Sequence, residues 1–232
     1  MKVLGIIPAR GGSKGIPKKN IKLLGGIPLL EYTAKSALAS KLLSRVILSS
    51  NDNEIIEVAK KIGLDVPFIR PENLSQDDTP SLSAIKHALA FFEAKNEKFD
   101  AICLLQVTTP FREEGLIDKS IQKFESENLE CLISVREVPT DFNPHWIFEA
   151  DANNHLKIAT GEDKIISRRQ DLPKAFHRDG AIYITKTDVI LNQDSLYGNS
   201  IGYIESKNNF YVNIDTQKDW NLAEDIIKKT EG

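Results

Sequence analysis

An apolar run, Val3 to Ile7, stops at Pro8 and gives way at once to a glycine-rich, cationic bend that reaches Asn20. Such a run reads as a buried strand, so it belongs inside a covered sheet rather than at a solvated edge. The bend carries Arg10, Lys14, Lys18 and Lys19 among Gly11, Gly12 and Gly15. Glycines let the backbone turn tightly and bring its N–H groups against an anion, which the cations neutralise. The expectation is a polyphosphate cradle at the end of a strand. It is not a P-loop, because the order here is Ser13-Lys14-Gly15. Nor do the three glycines fit the dinucleotide fingerprint, whose helix Pro17 would interrupt. The competing account is a surface turn with solvated lysines; the density of glycines and cations directly after a buried-type strand favours the cradle.

Strand-like and helix-like segments alternate behind this start. Arg45–Ser49, Val66–Ile69, Ala101–Val107 and Leu132–Val135 read as strands. Pro28–Ala39, Glu54–Ile62, a segment opened by Thr79-Pro80 and running to about Ala94, and Gly115–Glu127 read as helices, Thr79 being a candidate N-cap. The pattern predicts an α/β fold, doubly wound around a mostly parallel central sheet, with ligands outside the carboxyl ends of the strands. It breaks after Val138: residues 139–178 hold three prolines, a Trp, three of the four histidines and no long helical period, and read as an inserted excursion of hairpins and loops. Strands at Ala181–Thr185, Ile201–Ile204 and Phe210–Ile214 and a helix from Gln217 to Lys229 complete the chain.

A length of 232 residues suits one large domain with a small appendage, and a net charge of −3 gives no broad basic surface for nucleic acid. Cys103 and Cys131 lack partners at metal-ligand spacing and read as small apolar fillers. No apolar run approaches a membrane span, and a soluble protein of the reducing cytoplasm is expected.

Four further clusters fall at strand ends. Arg70, followed by Asp77, Asp78 and Ser81, can clamp a phosphate, ribose or base, or simply pair with a loop carboxylate. Gln106 ends an apolar strand where its amide must find partners, with Thr108, Thr109, Pro110 and Arg112 as a polar rim beside it. Arg168, Arg169, His177 and Arg178 suit a carboxylate or an interface, and Asp179-Gly180 is also a good turn dipeptide. Asn213 and Asp215, two apart on a strand, can present oxygens to a hard cation such as Mg²⁺, or Asp215-Thr216 can just cap the last helix.

In order, these stretches resemble the N-acylneuraminate cytidylyltransferase family, the CMP-sialic acid synthetases, including those acting on legionaminic and pseudaminic acids. The match runs from Pro8–Asn20 through Arg70–Leu74, Leu104–Arg112, Arg169–Pro173, Gly180–Tyr183 and Ile214–Thr216. The resemblance implies a nucleotide-diphospho-sugar transferase-like, Rossmann-type fold and transfer of CMP from CTP to the anomeric hydroxyl of a nine-carbon sugar acid. By position it implies that Ala9, Arg10, Gly11, Ser13, Lys14, Lys19, Asn20, Arg70 and Ser81 bind nucleotide, with Arg10, Lys14 and Lys19 stabilising the reacting phosphates. Gln106, Arg169, His177 and Asp179 would face the sugar acid, and Asp215 with Asn213 would hold Mg²⁺. Residues 139–178 match the family's dimerisation element, implying a homodimer in which Arg169 works on the neighbour's substrate. Where the family usually has Asp this chain has Asn213, and Ser-Thr-Asp at the second strand becomes Ser49-Ser50-Asn51. Changes at Val107, His177 and Asp179 also fall on the sugar side, which favours a nonulosonic acid other than N-acetylneuraminate. The alternatives are another nucleotide or a sugar acid such as Kdo, a non-catalytic nucleotide-binding module, and a glycosyltransferase. The last is disfavoured because Gln106-Val107-Thr108 stands where an Asp-x-Asp motif would be.

Overall fold

The computed structural model describes residues 1–12, 14–208 and 210–231, so Ser13 lies outside the described residues. The chain begins with β1 (Val3–Pro8), a small hairpin of β2 (Leu23–Leu24) and β3 (Ile27–Pro28), α1 (Leu29–Leu38), β4 (Arg45–Ser49) and α2 (Asn53–Ile62). There follow α3 (Ser81–Glu93), β5 (Ala101–Leu104), α4 (Leu116–Ser126), β6 (Cys131–Glu137), and a hairpin of β7 (Phe148–Ala150) and β8 (Leu156–Ile158). The last elements are β9 (Phe176–Lys186), α5 (Thr187–Gln193), β10 (Ile201–Glu205) and α6 (Gln217–Glu231).

Among the described residues six strands form the central sheet in the order β10-β6-β9-β5-β1-β4. The three at one side are parallel, with Ile6 opposite Ile47 and Gly5 opposite Cys103, whereas β9 runs against β5 with Leu104 opposite Tyr183. Side chains alternate across the sheet as period two requires. Val3, Ile7, Leu48, Cys103 and Leu105 join the core under α1, α2, α4 and α6, and Leu4, Ile6, Ile47, Ile102 and Leu104 join the core under α3 and α5. Both faces are therefore buried, and a doubly wound α/β fold results. Because β1, β4 and β5 are parallel, their carboxyl ends meet at one edge, and the segments after Pro8, Ser49 and Leu104 gather there.

Several local expectations are corrected. Val66–Ile69 is not a strand: Asp65 makes a single bridge to Ile47, and Pro67, lacking an N–H, cannot continue a ladder. Phe210–Ile214 is irregular, fixed by burial of Val212 and Ile214 and by the Ile214 N–H donating to Thr108 O at 2.8 Å. Thr79 is not the N-cap of α3; Pro80 takes that place with extended ψ and no side-chain cap bond. The strand β5 ends at Leu104, three residues earlier than its apolar run, for a reason that lies in the site.

The chain forms two compact units, Met1–Ser134 with Asp179–Gly232, and Val135–Arg178. The second starts four residues before the expected boundary at 139. Inside it, Asn143 is buried and donates to Pro173 O at 2.9 Å, the Trp146 indole N–H donates to Ile166 O at 2.6 Å, and His145 Nδ1 lies 2.8 Å from Glu162. Among the described residues no helix is long and apolar enough to cross a membrane.

Candidate active site

Side-chain amides fix the bend after β1. Asn20, buried in a short 3-10 turn, donates from its amide to Arg10 O at 2.9 Å, and the Gly11 N–H reaches Asn51 Oδ1 at 3.3 Å. A Cβ on Gly15 would stand 2.2 Å from Asp215 O, so only glycine lets the bend approach the segment before α6. A Cβ on Gly11 would likewise meet the Asp52 carboxylate at 2.6 Å. Asp52 itself caps α2, accepting from the N–H groups of Glu54 and Ile55.

Cations converge on this edge. Arg70 is 5 % exposed, its Nε–H donating to Ser75 Oγ at 2.9 Å. Burial lowers its pKa first and the nearby charge of Arg10 lowers it further, against the opposite pull of Glu72. Two guanidiniums that repel each other in a partly desolvated place favour an anion between them. The chain's own carboxylates take that role here. Asp77 pairs with Arg10 and, at 2.5 Å, with Lys14, and these two bonds hold its carboxyl below the usual range. Lys19, largely covered, donates to Ile214 O at 2.7 Å and to Asp215 at 3.0 Å. Lys18 is drawn away to Glu54 at 2.6 Å and stands outside the cradle. Ser81 is the first residue of α3, at the positive end of that helix.

A second group of polar residues lies where β5 ends beside β9. The Gln106 carbonyl takes the Arg112 Nη2–H at 2.5 Å and the Thr33 hydroxyl at 3.3 Å, which is why the strand ladder stops short of it. Its side-chain oxygen faces Gly180, where φ is +80° and an added Cβ would come within 3.3 Å of Gln106 Oε1. Arg112 stands beside Gln106 as the sequence suggests, half-buried rather than fully exposed. Its guanidinium is turned inward, onto Gln106 O, Thr33 Oγ1 at 2.8 Å and Ala181 O at 3.0 Å. Asp179 is also interior, 2 % exposed. Its carboxylate accepts from the hydroxyls of Ser134 and Ser206 and from the Ala181 N–H at 2.9 Å, so it shapes the Gly180 turn from inside.

Asn213 donates from its amide to Asp215 Oδ2 at 2.6 Å, while Asp215 Oδ1 is held by Lys19. Among the described residues no three His, Cys, Asp or Glu side chains group as a complete metal cage. One exposed carboxylate beside a cationic bend still fits Mg²⁺, which takes one or two protein carboxylates and completes its shell with phosphates and water.

The family model for cytidylyltransferases matches residues 4–230, essentially the whole chain. The chain belongs to the cytidylyltransferase family. It is 35% identical over 228 residues to the pseudaminic acid cytidylyltransferase of Campylobacter jejuni, covering 98% of this chain and 97% of that one. It is 31% identical to the CMP-N,N'-diacetyllegionaminic acid synthase of Legionella pneumophila, with 98% and 97% covered. Among solved structures it is similar in fold to a CMP:2-keto-3-deoxy-manno-octonic acid synthetase complexed with CTP (TM-score 0.74, 14% identity, 99% and 100% covered).

This cytidylyltransferase carries its other singled-out residues in the second unit. Arg169 is exposed, opens a short 3-10 turn and lines a groove of about 350 Å³ with Thr140, Asn143, Leu172 and Lys174. His177 is exposed, with Nδ1 3.2 Å from Arg178 O. Sequence reasoning missed Asn51 as the partner of Gly11, and Thr33, Ser134 and Ser206 as supports. Each is a single polar residue in an otherwise ordinary strand end or helix, and nothing local marks it.

Proposed function

We propose that this cytidylyltransferase moves CMP from CTP to the anomeric hydroxyl of a nine-carbon 2-keto-3-deoxy sugar acid, releasing pyrophosphate. The observation that carries this is the cradle at the carboxyl edge of β1 and β4, in which Arg10, Lys14 and Lys19 are closed on carboxylates of the chain itself. A triphosphate, with more charge than either Asp77 or Asp215, would replace them. Ala9, Arg10, Gly11, Ser13, Lys14, Lys19 and Asn20 would then hold the phosphates, and Arg70 and Ser81 the cytidine. The sugar's oxygen forms a new bond to the α-phosphorus as the bond to pyrophosphate breaks, and the hydroxyl proton passes to solvent. Arg10, Lys14 and Lys19 stabilise the charge that grows on the phosphates, each worth roughly 2–4 kcal/mol of barrier if well aimed. Asp215, with Asn213 beside it, would hold Mg²⁺, which neutralises phosphate charge when bound.

Gln106 faces the sugar acid in this reading, with Asp179 acting from behind through the Gly180 turn. The relatives' sugars support a nonulosonic acid. We place Arg169 and His177 at the sugar across a homodimer built by residues 135–178, and the enzyme in the cytoplasm, where its two free thiols, both buried, stay reduced. The test is pyrophosphate release from CTP with pseudaminic, legionaminic, N-acetylneuraminic and Kdo acids in turn. Turnover with a nine-carbon acid is expected, and Arg10→Ala and Lys19→Ala should each lower kcat about a hundredfold. No turnover with any acid, or near-normal rates in both variants, would refute the proposal.

A further inference from the structure

We infer that Arg112 is a positioning residue for the sugar-acid side, a half-buried fork that aims the Gln106 amide by fixing the spacing between the end of β5 and the Ala181 segment of β9. The inference rests on the placement of Gln106 at the sugar given above. Three donors of one guanidinium reach three different segments: Nε–H to Ala181 O at 3.0 Å in β9, Nη1–H to Thr33 Oγ1 at 2.8 Å in α1, and Nη2–H to Gln106 O at 2.5 Å just past β5. Thr33, wholly buried, adds its own hydroxyl to the same Gln106 carbonyl at 3.3 Å. A planar guanidinium holds such acceptors at set distances and angles, which the single ammonium of a lysine cannot do.

The cation has no structural salt bridge to account for it. Among the described residues no carboxylate lies within ion-pair distance of Arg112; Asp179 acts on it only at longer range. Burial presses its pKa down to about 10, so it stays charged at neutral pH in surroundings that disfavour charge. What the fork secures is local geometry. Ala181, which it grips, follows Gly180, and Gly180 is the residue against which Gln106 Oε1 lies: a Cβ there would stand 3.3 Å from that oxygen and 2.9 Å from Thr109 Oγ1. Displacement of either backbone by a few tenths of an ångström would therefore redirect the Gln106 amide, while the cradle is built by β1, β4 and residues 70–77 and does not touch Arg112 through any of these bonds.

The experiment is a double-mutant cycle on the full chain with Gln106→Ala, Arg112→Lys and their combination, measuring kcat and both KM values, with thermal midpoints recorded. Arg112→Lys is expected to raise KM for the sugar acid about tenfold and to leave KM for CTP within about twofold. In the Gln106→Ala background it should add less than about twofold to the loss in kcat/KM, because an arginine acting through Gln106 has nothing left to aim. Equal rises in both KM values, or effects that multiply, would overturn the inference and mark Arg112 as a general support. If Arg112→Lys does not fold, Thr33→Val carries the same cycle, with about a threefold rise in the sugar-acid KM that vanishes in Gln106→Ala. If Gln106→Ala alone leaves the sugar-acid KM unchanged, the placement of the sugar itself is wrong; if Gln106→Ala acts and the cycle is additive, only the role of Arg112 fails.

Discussion

Asp77 shows how much one side chain can decide. It lies on the loop between Arg70 and α3 and bonds both Arg10 and Lys14, where a phosphate would be bound. Those bonds keep its carboxyl below the ordinary value of 3.8, so it is ionised through the whole range in which the enzyme would be assayed. In the proposed complex a ligand phosphate displaces it. Asp77→Asn is therefore expected to lower KM for CTP about threefold to tenfold, read from initial rates with the sugar acid saturating. A rise in KM would instead show that Asp77 helps to hold the nucleotide complex. At this scale the cations were legible in sequence, because glycines and lysines crowded behind a strand have few other uses. Their resting partners were not legible: Asp77 is 67 residues from Arg10, and Asp215 is 196 from Lys19.

Elements were legible where the pattern was long and regular. Arg45–Ser49 forms a strand with the expected bounds, and α2 ends at Gly63 in the left-handed region, as a helix closed by glycine should. Short segments failed where a competing hydrogen bond or a proline intervened, as at Pro67 and at Gln106. Connections between elements depended on single acids in the same way. Asp118, in the first turn of α4, accepts from Ser40 Oγ and from the N–H groups of Lys41 at 3.0 Å and Leu42 at 3.3 Å, tying the α1–β4 loop to α4. Partial burial works to raise its pKa, but the bonds from Ser40, Lys41 and Leu42 outweigh it and the net direction is down. A depressed carboxyl stabilises the fold above its unfolded pKa and loses that contribution as pH falls through the folded one. Asp118→Ala should thus cost about 2 kcal/mol at pH 7, with the gap to wild type closing below pH 4 in urea titrations. A constant gap down to pH 3 would rule out this role for the carboxylate.

For the whole molecule, the second unit presents the large apolar side chains Phe142, Phe148, Leu156 and Ile165 to solvent. With the proposed dimer these residues are covered, so light scattering should give twice the 26.0 kDa chain mass, and Phe148→Ser with Leu156→Ser should yield monomers with little turnover. A wild-type monomer of full activity would exclude the shared site. The amino-acid sequence by itself determined the layered α/β class, the excursion after β6 and the glycine-rich cationic bend after β1, because hydrophobic period, glycine and charge are local properties that survive in a linear string. Only the tertiary structure decided that Arg112 and Asp179 turn inward, that Gly15 must clear Asp215 O, and that β9 runs against β5 beside Gln106. Those facts depend on contacts between residues far apart in the chain, where burial and hydrogen-bond geometry are set jointly by both partners and neither one announces the other.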